Sequence, residues 1–177
     1  YDHQQIDEEN LEIELLKLQI NHKKFRTRKW AVPVCYDESL APDLTKICEE
    51  KKLSKRKVIK LHTSDLYDIH FYGFLPGFMY LGGLDEKLHH PRKTNPDASL
   101  PAGSVAIGGS QTGIYPTNSP GGWHVIGNTP LQLFDIKNDP PCPFEPGDQI
   151  KFKSVSIKEY NKIKKEVESG TYKFQKA

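Results

Sequence analysis

Residues 73–84 read GFLPGFMYLGGL, residues 101–116 read PAGSVAIGGSQTGIYP and residues 119–127 read SPGGWHVIG. Of the 13 glycines in the chain, 12 lie between Gly73 and Gly147, and 11 of the 13 prolines lie between Pro76 and Pro146. Such a density means that many backbone positions require a positive φ, a fixed φ or the close approach of another group. We therefore expect this region to form a shaped surface and not a set of ordinary loops.

The composition around this region is that of a globular protein. The chain has 177 residues, 36% of them hydrophobic and 27% charged, which fits one domain of about 100–150 residues and an appendage. A net charge of +2 is too mild to indicate a nucleic-acid partner. No apolar run approaches the roughly 20 residues of a membrane span, and no signal peptide is recognisable. The odd number of cysteines, without a CxxC pair, indicates reduced thiols. We expect a cytoplasmic protein.

Periodicity predicts many short elements. We expect a first helix at about 7–22 whose apolar face must pack on something, and then a basic connector at 23–29. Two short helices are expected at about 42–51 and from Ser54, and a last helix begins at the capping box of Ser156 and Glu159 and ends at Gly170. Strands are predicted at 30–35, from Asp68, and at 104–107, 124–127, 131–136 and 149–155. Short strands with frequent turn signals favour a barrel or sandwich over a parallel α/β sheet.

The glycine run 108–113 has the spacing of a phosphate-binding loop but not its chemistry. Ile114 and Tyr115 stand where such a loop needs Lys and Ser or Thr. Two interpretations stay open: a backbone nest that binds an anion, or a tight turn between two strands. Ser110 lacks the second glycine of a nucleophile elbow, because Thr112 occupies that position.

Four histidines are candidates for metal binding or acid–base chemistry. His89 and His90 are adjacent, so in an extended chain they point to opposite faces and are unlike a pair of ligands for one ion. We expect surface histidines there and no metal site. His62 and His124 lie in apolar surroundings, which favours hydrogen-bonded structural residues over general bases.

Arg92 is the strongest candidate for contact with a ligand. It follows Pro91, and a guanidinium can hold a carboxylate or phosphate through two hydrogen bonds. The alternative is a structural ion pair. Tyr115 and Trp123 offer flat walls, and Gln111 can pair with an amide. Together with Arg92 they are suited to a polar pocket for a small acid or lactam.

At these residues the chain resembles the allophanate hydrolase subunit 1 family, also known as the B-type subunits of 5-oxoprolinase, which includes a sporulation histidine-kinase inhibitor. The resemblance covers about residues 29–157. It rests on the blocks quoted above, on Pro91-Arg92, and on shorter matches at 33–36, 43–44, 61–62, 133–135 and 146–148. Blocks of this length are far more specific than a lone glycine motif.

The resemblance implies a mostly β fold, a cyclophilin-like β-barrel with flanking helices. Residues 29–177 would form this barrel domain with its C-terminal helix. Residues 1–28, a helix and connector, would be the remnant of an N-terminal α/β domain that the chain otherwise lacks. Fold and function separate readily, so we expect no prolyl isomerase activity.

The resemblance further implies one subunit of an ATP-dependent 5-oxoprolinase that opens 5-oxoproline to glutamate and is inactive alone. Its partners would be an allophanate hydrolase subunit 2-type protein, which is the C-type subunit of 5-oxoprolinase, and a separate A-type subunit. We expect the ATP site on a partner or at an interface. In this interpretation Arg92 holds the substrate carboxylate and Gln111 the lactam amide. The other expected substrate-binding residues are His62, Phe78, Gly109, Ser110, Thr112, Gly113, Tyr115 and Trp123.

Two alternatives stay open. The barrel would instead bind and inhibit a histidine kinase, with Phe74, Phe78 and Tyr80 as anchors, or serve as a component of an allophanate-type amide hydrolase. The second has the weaker support, since no nucleophile is recognisable. Two departures from the family pattern bear on the ligand. Asp97 and Asn128 stand where family members often have arginine.

Overall fold

The computed structural model describes residues 8–18 and 27–177. Its helices are α1 (Glu8–Lys17), α2 (Leu44–Lys51), α3 (Lys55–Ser64), a 3₁₀ turn (Glu86–Leu88) and α4 (Ile157–Glu168). Its strands are β1 (Lys29–Cys35), β2 (Tyr67–Tyr72), β3 (Met79–Gly82), β4 (Asp97–Leu100), β5 (Ser104–Gly108), β6 (Gln111–Ile114), β7 (Ser119–Gly121), β8 (His124–Asn128), β9 (Gln149–Val155) and β10 (Gln175–Lys176).

Within these ranges, seven strands close a barrel in the order β1-β8-β5-β6-β3-β2-β9, and β9 pairs again with β1. The closing pair is parallel and runs in register from Lys29 opposite Gln149 to Cys35 opposite Val155. β10 adds to the edge of β1, and β4 pairs with β7 in a separate small sheet. The prediction of a mostly β barrel with flanking helices is confirmed.

The strands bury side chains on both of their faces, in two separate clusters. Val105 and Ile107 join a large cluster that also contains residues of α2 and α3. Ala106, between them, joins a smaller cluster with Phe78, Trp123 and other residues. This alternation is the period-two pattern of a strand. The smaller cluster is the foundation of the site described below.

The helix ends follow the predicted capping. The hydroxyl of Ser54 accepts a hydrogen bond from the Lys57 amide at 3.2 Å, and Ser156 accepts one from the Glu159 amide at 3.2 Å. Gly170, with a φ of +70°, follows the last helix. Because α3 carries the fully buried His62, its cap also fixes the position of that residue.

Helix α1 is confirmed, although the structure assigns it only over Glu8–Lys17. The apolar side chains of Ile13, Leu15 and Leu16 in this helix, and of Leu18 directly after it, are 48–79% exposed, so the described part of the chain does not cover them. The predicted cap at Asp7, the helix end near His22 and most of the basic connector lie outside the described residues. The assignment of residues 1–28 to a separate domain stays a prediction.

The strand predicted at 131–136 is wrong. These residues form no strand, although Leu131 and Leu133 are buried as the alternation suggested. Pro130 has no amide hydrogen to donate to a neighbouring strand. A turn begins at Asp135, whose carbonyl accepts a hydrogen bond from the Asn138 amide at 3.0 Å. The segment packs as an irregular chain with two apolar anchors.

No helix among the described residues is long and apolar enough to cross a membrane.

Candidate functional site

The smaller core cluster lies beneath an open groove of about 360 Å³. Five aromatic residues form most of its walls: Phe74, Phe78, Tyr80, Tyr115 and Trp123. Two cations, Arg92 and Lys93, also line it, and prolines and glycines complete it: Pro96, Pro120, Gly121 and Gly122. Its volume and mixture of aromatic and charged groups suit a small organic acid or a short apolar segment.

Phe78 organises the aromatic wall. Its ring meets Tyr80 at a centroid distance of 4.9 Å, Tyr115 at 5.1 Å and Trp123 at 5.6 Å, with interplanar angles of 63–85°. These are edge-to-face contacts, the favoured geometry of aromatic pairs. Because Phe78 itself is only 2% exposed, it fixes the orientations of the rings around it.

The glycines of the sequence blocks make this wall possible. A Cβ on Gly108 would lie 2.7 Å from the indole of Trp123, and one on Gly121 would lie 2.4 Å from the hydroxyl oxygen of Tyr115. Real Cβ atoms do not approach other atoms so closely. The high glycine content therefore reflects the close approach of aromatic rings to neighbouring backbone, as the sequence indicated.

Phe74 stands at the rim in an unusual backbone conformation. Its φ is +64°, a region that bulky residues rarely occupy and that costs about 1–3 kcal/mol. Its side chain is 60% exposed and meets Phe78 edge-on at 5.7 Å. An exposed aromatic ring held by a strained backbone is a feature of binding sites, and here it extends the wall toward solvent.

Arg92 offers the groove a cation that no carboxylate of residues 8–18 or 27–177 engages. Its guanidinium carbon lies 5.4 Å from the centroid of the Trp123 ring, within cation–π range. Among the residues that the structure describes, Arg92 forms no salt bridge. The predicted alternative of a structural ion pair therefore finds no support, and the guanidinium hydrogens are available to an anion.

Lys93, in contrast, is fully engaged. Its ammonium lies 2.7 Å from Asp43 Oδ2 and 2.5 Å from Asp97 Oδ2, and its amide donates to the Gly122 carbonyl. Burial alone would lower the pKa of Lys93, but hydrogen bonds and attraction from the two carboxylates raise it above its ordinary value. Lys93 is therefore a permanently charged, paired lysine and not a nucleophile.

Two histidines hold the chain just before Arg92. The His90 amide and carbonyl both pair with Gly109, and His90 Nε2 lies 2.9 Å from a carboxylate oxygen of Glu50. His124 Nε2 lies 3.1 Å from the Pro91 carbonyl, which can only accept, so Nε2 carries the hydrogen. Burial lowers the pKa of both imidazoles. The expectation of a surface residue at His90 is wrong, since its side chain is only 14% exposed.

His62 and Thr112 belong to the barrel core and not to the groove. Thr112 donates its hydroxyl hydrogen to the Ala106 carbonyl at 2.9 Å, so it must accept from His62 Nε2 at 3.0 Å. His62 Nδ1 is then the acceptor for the Tyr36 hydroxyl at 2.7 Å. This buried chain is fully satisfied, and burial lowers the pKa of His62 to about 3.

The glycine run 108–113 is a β-hairpin. Gly108 pairs with Gln111, so the turn consists of Gly109, with a φ of +64°, and Ser110. The Gly109 amide donates to the His90 carbonyl at 2.7 Å and is not free for an anion. Of the two interpretations left open by the sequence, the tight turn between strands is therefore the one observed.

The structure brings some of the predicted site residues together and separates others. Arg92, Phe78, Tyr115 and Trp123 line the groove, and Gly113 lies directly beneath Phe78 and Trp123. The remaining predicted residues do not line it: His62, Gly109, Ser110, Gln111 and Thr112. Sequence reasoning missed Lys93 and Asp43, and it singled out Asp97 only as a departure from the family pattern. The spacing of Lys93 and Asp97, four residues apart, was the available signal for half of that cluster.

The two departures from the family pattern lie in different places. Asp97 binds the groove lysine, as described above. Asn128 accepts a hydrogen bond from the Tyr160 hydroxyl at 2.7 Å and donates to the Ala102 carbonyl at 3.0 Å. Asn128 thus ties α4 to the barrel, and only Asp97 bears on the charge of the groove.

Within the described residues, no three His, Cys, Asp or Glu side chains gather closely enough to hold a metal ion.

Comparisons with known proteins agree with this fold. The family described as carboxyltransferase domain, subdomain C and D, matches residues 1–144. The B-type 5-oxoprolinase subunit of Bacillus subtilis is 45% identical over 76% of this chain and 56% of its own length. That of Escherichia coli O157:H7 is 49% identical over 68% of this chain and 56% of its own length. That of Haemophilus influenzae is 41% identical over 79% of this chain and 66% of its own length.

Solved structures show the same fold. A conserved uncharacterized protein of Pyrococcus horikoshii aligns with a TM-score of 0.73 and 38% identity, over 90% of this chain and 74% of that one. The urea carboxylase of Kluyveromyces lactis aligns over the whole of this chain with a TM-score of 0.79, but over only 19% of its own length and at 19% identity. The second likeness is one of fold alone.

The chain spans 56–66% of the length of these curated relatives. The family match extends over residues 1–144, which is more than half of the chain. The chain therefore belongs to the carboxyltransferase domain, subdomain C and D, family.

Proposed function

We propose that this chain is a component of an ATP-dependent 5-oxoprolinase and that its groove holds the 5-oxoproline. Three relatives that are 41–49% identical are named as the B-type subunits of 5-oxoprolinase, which supports the proposal. The observation that carries it is the guanidinium of Arg92, which has no carboxylate partner in the described part of the chain and lies over Trp123 in an aromatic groove. A cation beside flat apolar walls complements a small ring that bears one carboxylate.

The groove residues have distinct roles in this proposal. Arg92 binds the carboxylate of the substrate through two charge-assisted hydrogen bonds. The lactam ring packs against the part of the aromatic wall that Tyr115 and Trp123 contribute, with ring orientations that Phe78 fixes. The strained Phe74 closes the outer end and reduces access of water to the bound ring. Gln111 does not line the groove and therefore has no role in binding the lactam amide.

The described residues do not fit an ATP phosphate site. The glycine run lacks the lysine of a phosphate-binding loop, and the Gly109 amide is already paired with His90. We therefore propose that ATP is used by the partners, the C-type and A-type subunits of 5-oxoprolinase, or at the interface with them. This chain then serves to bind and orient the lactam.

The test is 5-oxoproline-dependent release of ADP and glutamate by the full-length protein mixed with both partner proteins, each omitted in turn. We expect turnover only with all three. Arg92→Gln should lower kcat/KM about 10- to 100-fold, mainly through KM, because a charge-assisted contact contributes about 1.5–3 kcal/mol. Gln111→Ala, a matched change outside the groove, should leave it within about twofold. Full activity of the Arg92→Gln complex, or turnover without this chain, would refute the proposal.

A second candidate is a protein-binding module, such as an inhibitor of a histidine kinase. The observation that favours it is a pair of exposed aromatic rings near the groove. Phe71 is 50% exposed and stacks on Tyr80 at 4.6 Å, and Phe74 is 60% exposed. Inhibition of kinase autophosphorylation that Phe74→Ala abolishes, without any lactam-dependent turnover, would favour this alternative. The amide-hydrolase alternative lacks support, because no serine, threonine or cysteine is among the lining residues.

A further inference from the structure

The two cations of the groove are electrostatically unequal. Arg92 is exposed and unpaired among the described residues, whereas Lys93 lies between the carboxylates of Asp43 and Asp97. The four formal charges of these side chains sum to zero. An anion that enters the groove therefore meets one available cation and one that is already neutralised.

Asp97 is the more exposed of the two carboxylate partners of Lys93, which lines the groove. Its Oδ2 lies 2.5 Å from Lys93 Nζ, and its side chain is 39% exposed. In the small sheet it pairs with Gly121, which itself lines the groove. Asp43 is 15% exposed and its carboxylate also accepts the Val125 amide at 2.7 Å, so Asp43 is committed to the fold. Asp97 thus lies directly behind two lining residues, Lys93 and Gly121, and is the less committed carboxylate near the groove.

We propose that Asp97 determines specificity by selecting ligands with a single carboxylate and disfavouring those with a second one. The inference rests on the proposed function and names its substrate class, compact cyclic monocarboxylates. 5-Oxoproline has one carboxylate, whereas the glutamate formed from it has two. Glutamate also carries an ammonium group, so the selection applies most directly to dicarboxylates that lack a cation, such as glutarate.

The size of the effect follows from Coulomb's law. A carboxylate about 8 Å away at an effective dielectric constant of about 40 changes the affinity of a second anion about sixfold. Because Asp97 is partly exposed, salt screens this interaction, and the Debye length falls from about 8 Å at 0.15 M to about 3 Å at 1 M. A purely structural role of Asp97 would show no such dependence.

The experiment measures binding to the full-length protein by calorimetry. The probes are 5-oxoproline, cyclopentanecarboxylate as a monocarboxylate without the lactam, and glutarate as a dicarboxylate. Wild type should bind both monocarboxylates more tightly than glutarate. Asp97→Asn keeps an oxygen acceptor for Lys93 but removes the charge, and it should tighten glutarate about two- to sixfold relative to the monocarboxylates at 0.15 M salt. At 1 M salt most of this gain should disappear.

Two further variants serve as controls. Asp97→Glu keeps the carboxylate and should show the wild-type preference. That result would exclude a disturbance of β4 as the cause of the Asp97→Asn effect. Glu38→Gln removes a carboxylate that pairs with Lys55 and does not line the groove, and it should change nothing. An unchanged ratio of monocarboxylate to dicarboxylate affinity in a folded Asp97→Asn protein would overturn the inference, as would a wild type that binds no carboxylate.

The proposed function and this inference fail separately. Loss of 5-oxoproline binding in Arg92→Gln with no effect of Asp97→Asn would retain the substrate and reject the role of Asp97. Preference for cyclopentanecarboxylate over glutarate that depends on Asp97, without binding of 5-oxoproline, would retain the charge selection and reject the substrate.

Discussion

His62 joins two distant parts of the chain through a single imidazole. It bonds to Tyr36 beyond β1 and to Thr112 in β6, and its ring stacks on Phe152 at 4.5 Å. The imidazole is completely buried. Protonation would add a hydrogen to Nδ1, which needs to accept from Tyr36, and would place a charge in the core. The neutral form is therefore the one that fits the fold.

This arrangement predicts a dependence of stability on pH. Burial lowers the pKa of His62 to about 3, whereas the unfolded chain takes up the proton near pH 6.5. Below about pH 6.5 the unfolded state binds more protons, so stability should fall with decreasing pH, by at most about 1.4 kcal/mol per pH unit. Urea denaturation of His62→Gln between pH 6.5 and 4 should show a shallower slope than wild type.

The exposed His70 provides the control for this measurement, because solvent reaches its ring in the folded and the unfolded chain. His70→Gln should keep the wild-type slope. Equal slopes for wild type and His62→Gln would mean that His62 does not remain neutral in the core.

A second prediction at this scale concerns the glycines beneath the groove. Gly108→Ala places a methyl group 2.7 Å from the Trp123 ring and should destabilise the protein by about 1–3 kcal/mol through overpacking. The displaced indole should also shift the tryptophan fluorescence. At Gly122 the nearest heavy atom to a new Cβ is 3.7 Å away, so Gly122→Ala should have little effect on either measurement. Similar losses for both variants would contradict the packing argument.

The single residues that sequence could identify were those whose chemistry shows locally. A guanidinium after a proline and aromatic residues beside glycines indicated Arg92, Tyr115 and Trp123, and all three line the groove. Gln111 and Thr112 are adjacent in the sequence. Neither lines the groove, because both belong to strand β6 of the barrel. The face of the sheet on which each of these residues lies is determined by the pairing of β6 with its neighbouring strands.

Among the elements, α4 is joined to the barrel by a buried hydrogen bond. The Tyr160 hydroxyl donates to Asn128 Oδ1 at 2.7 Å, and Asn128 is 4% exposed. Tyr160→Phe would leave this oxygen without a donor and should cost about 1–3 kcal/mol of the free energy of unfolding. Tyr172→Phe is the matched change, since the Tyr172 hydroxyl makes no hydrogen bond within the described residues, and it should cost less. Thermal unfolding of both variants decides the point.

Helices and strands could be predicted where the hydrophobic periodicity and the capping residues indicated the same element. Strands β1, β5, β8 and β9 and the caps at Ser54 and Ser156 were found from sequence. Strands β3 and β6 were missed because each is four residues long and contains glycine, which favours turns in isolation. Their stability comes from pairing with each other and with neighbouring strands, which a local pattern does not contain.

At the scale of the whole molecule, closure of the barrel depends on strands from opposite ends of the described domain. β1 and β9 pair in parallel, and Asp148 secures their start. Its carboxylate accepts two hydrogen bonds from Arg28 Nε at 3.0 Å, one from Arg28 Nη2 at 2.7 Å and one from Trp30 Nε1 at 2.9 Å. Burial opposes ionisation, but these donors hold the pKa of Asp148 below its ordinary value. This stabilisation is present above about pH 4 and is lost as the pH falls through the lowered pKa.

Asp148→Asn should therefore weaken the pairing of β1 with β9 along its whole length. We expect a loss of about 2–4 kcal/mol, below the upper range for a buried ion pair, because the Arg28 side chain is 32% exposed and keeps part of its hydration. Hydrogen exchange should accelerate together in β1 and β9 and much less in β5 and β6, which pair locally as a hairpin. Glu145→Gln, which removes the more exposed partner of Arg28 at 3.2 Å, should cost under about 1 kcal/mol. Faster exchange confined to the turn before β9 would show that the barrel is closed by the strand ladder alone.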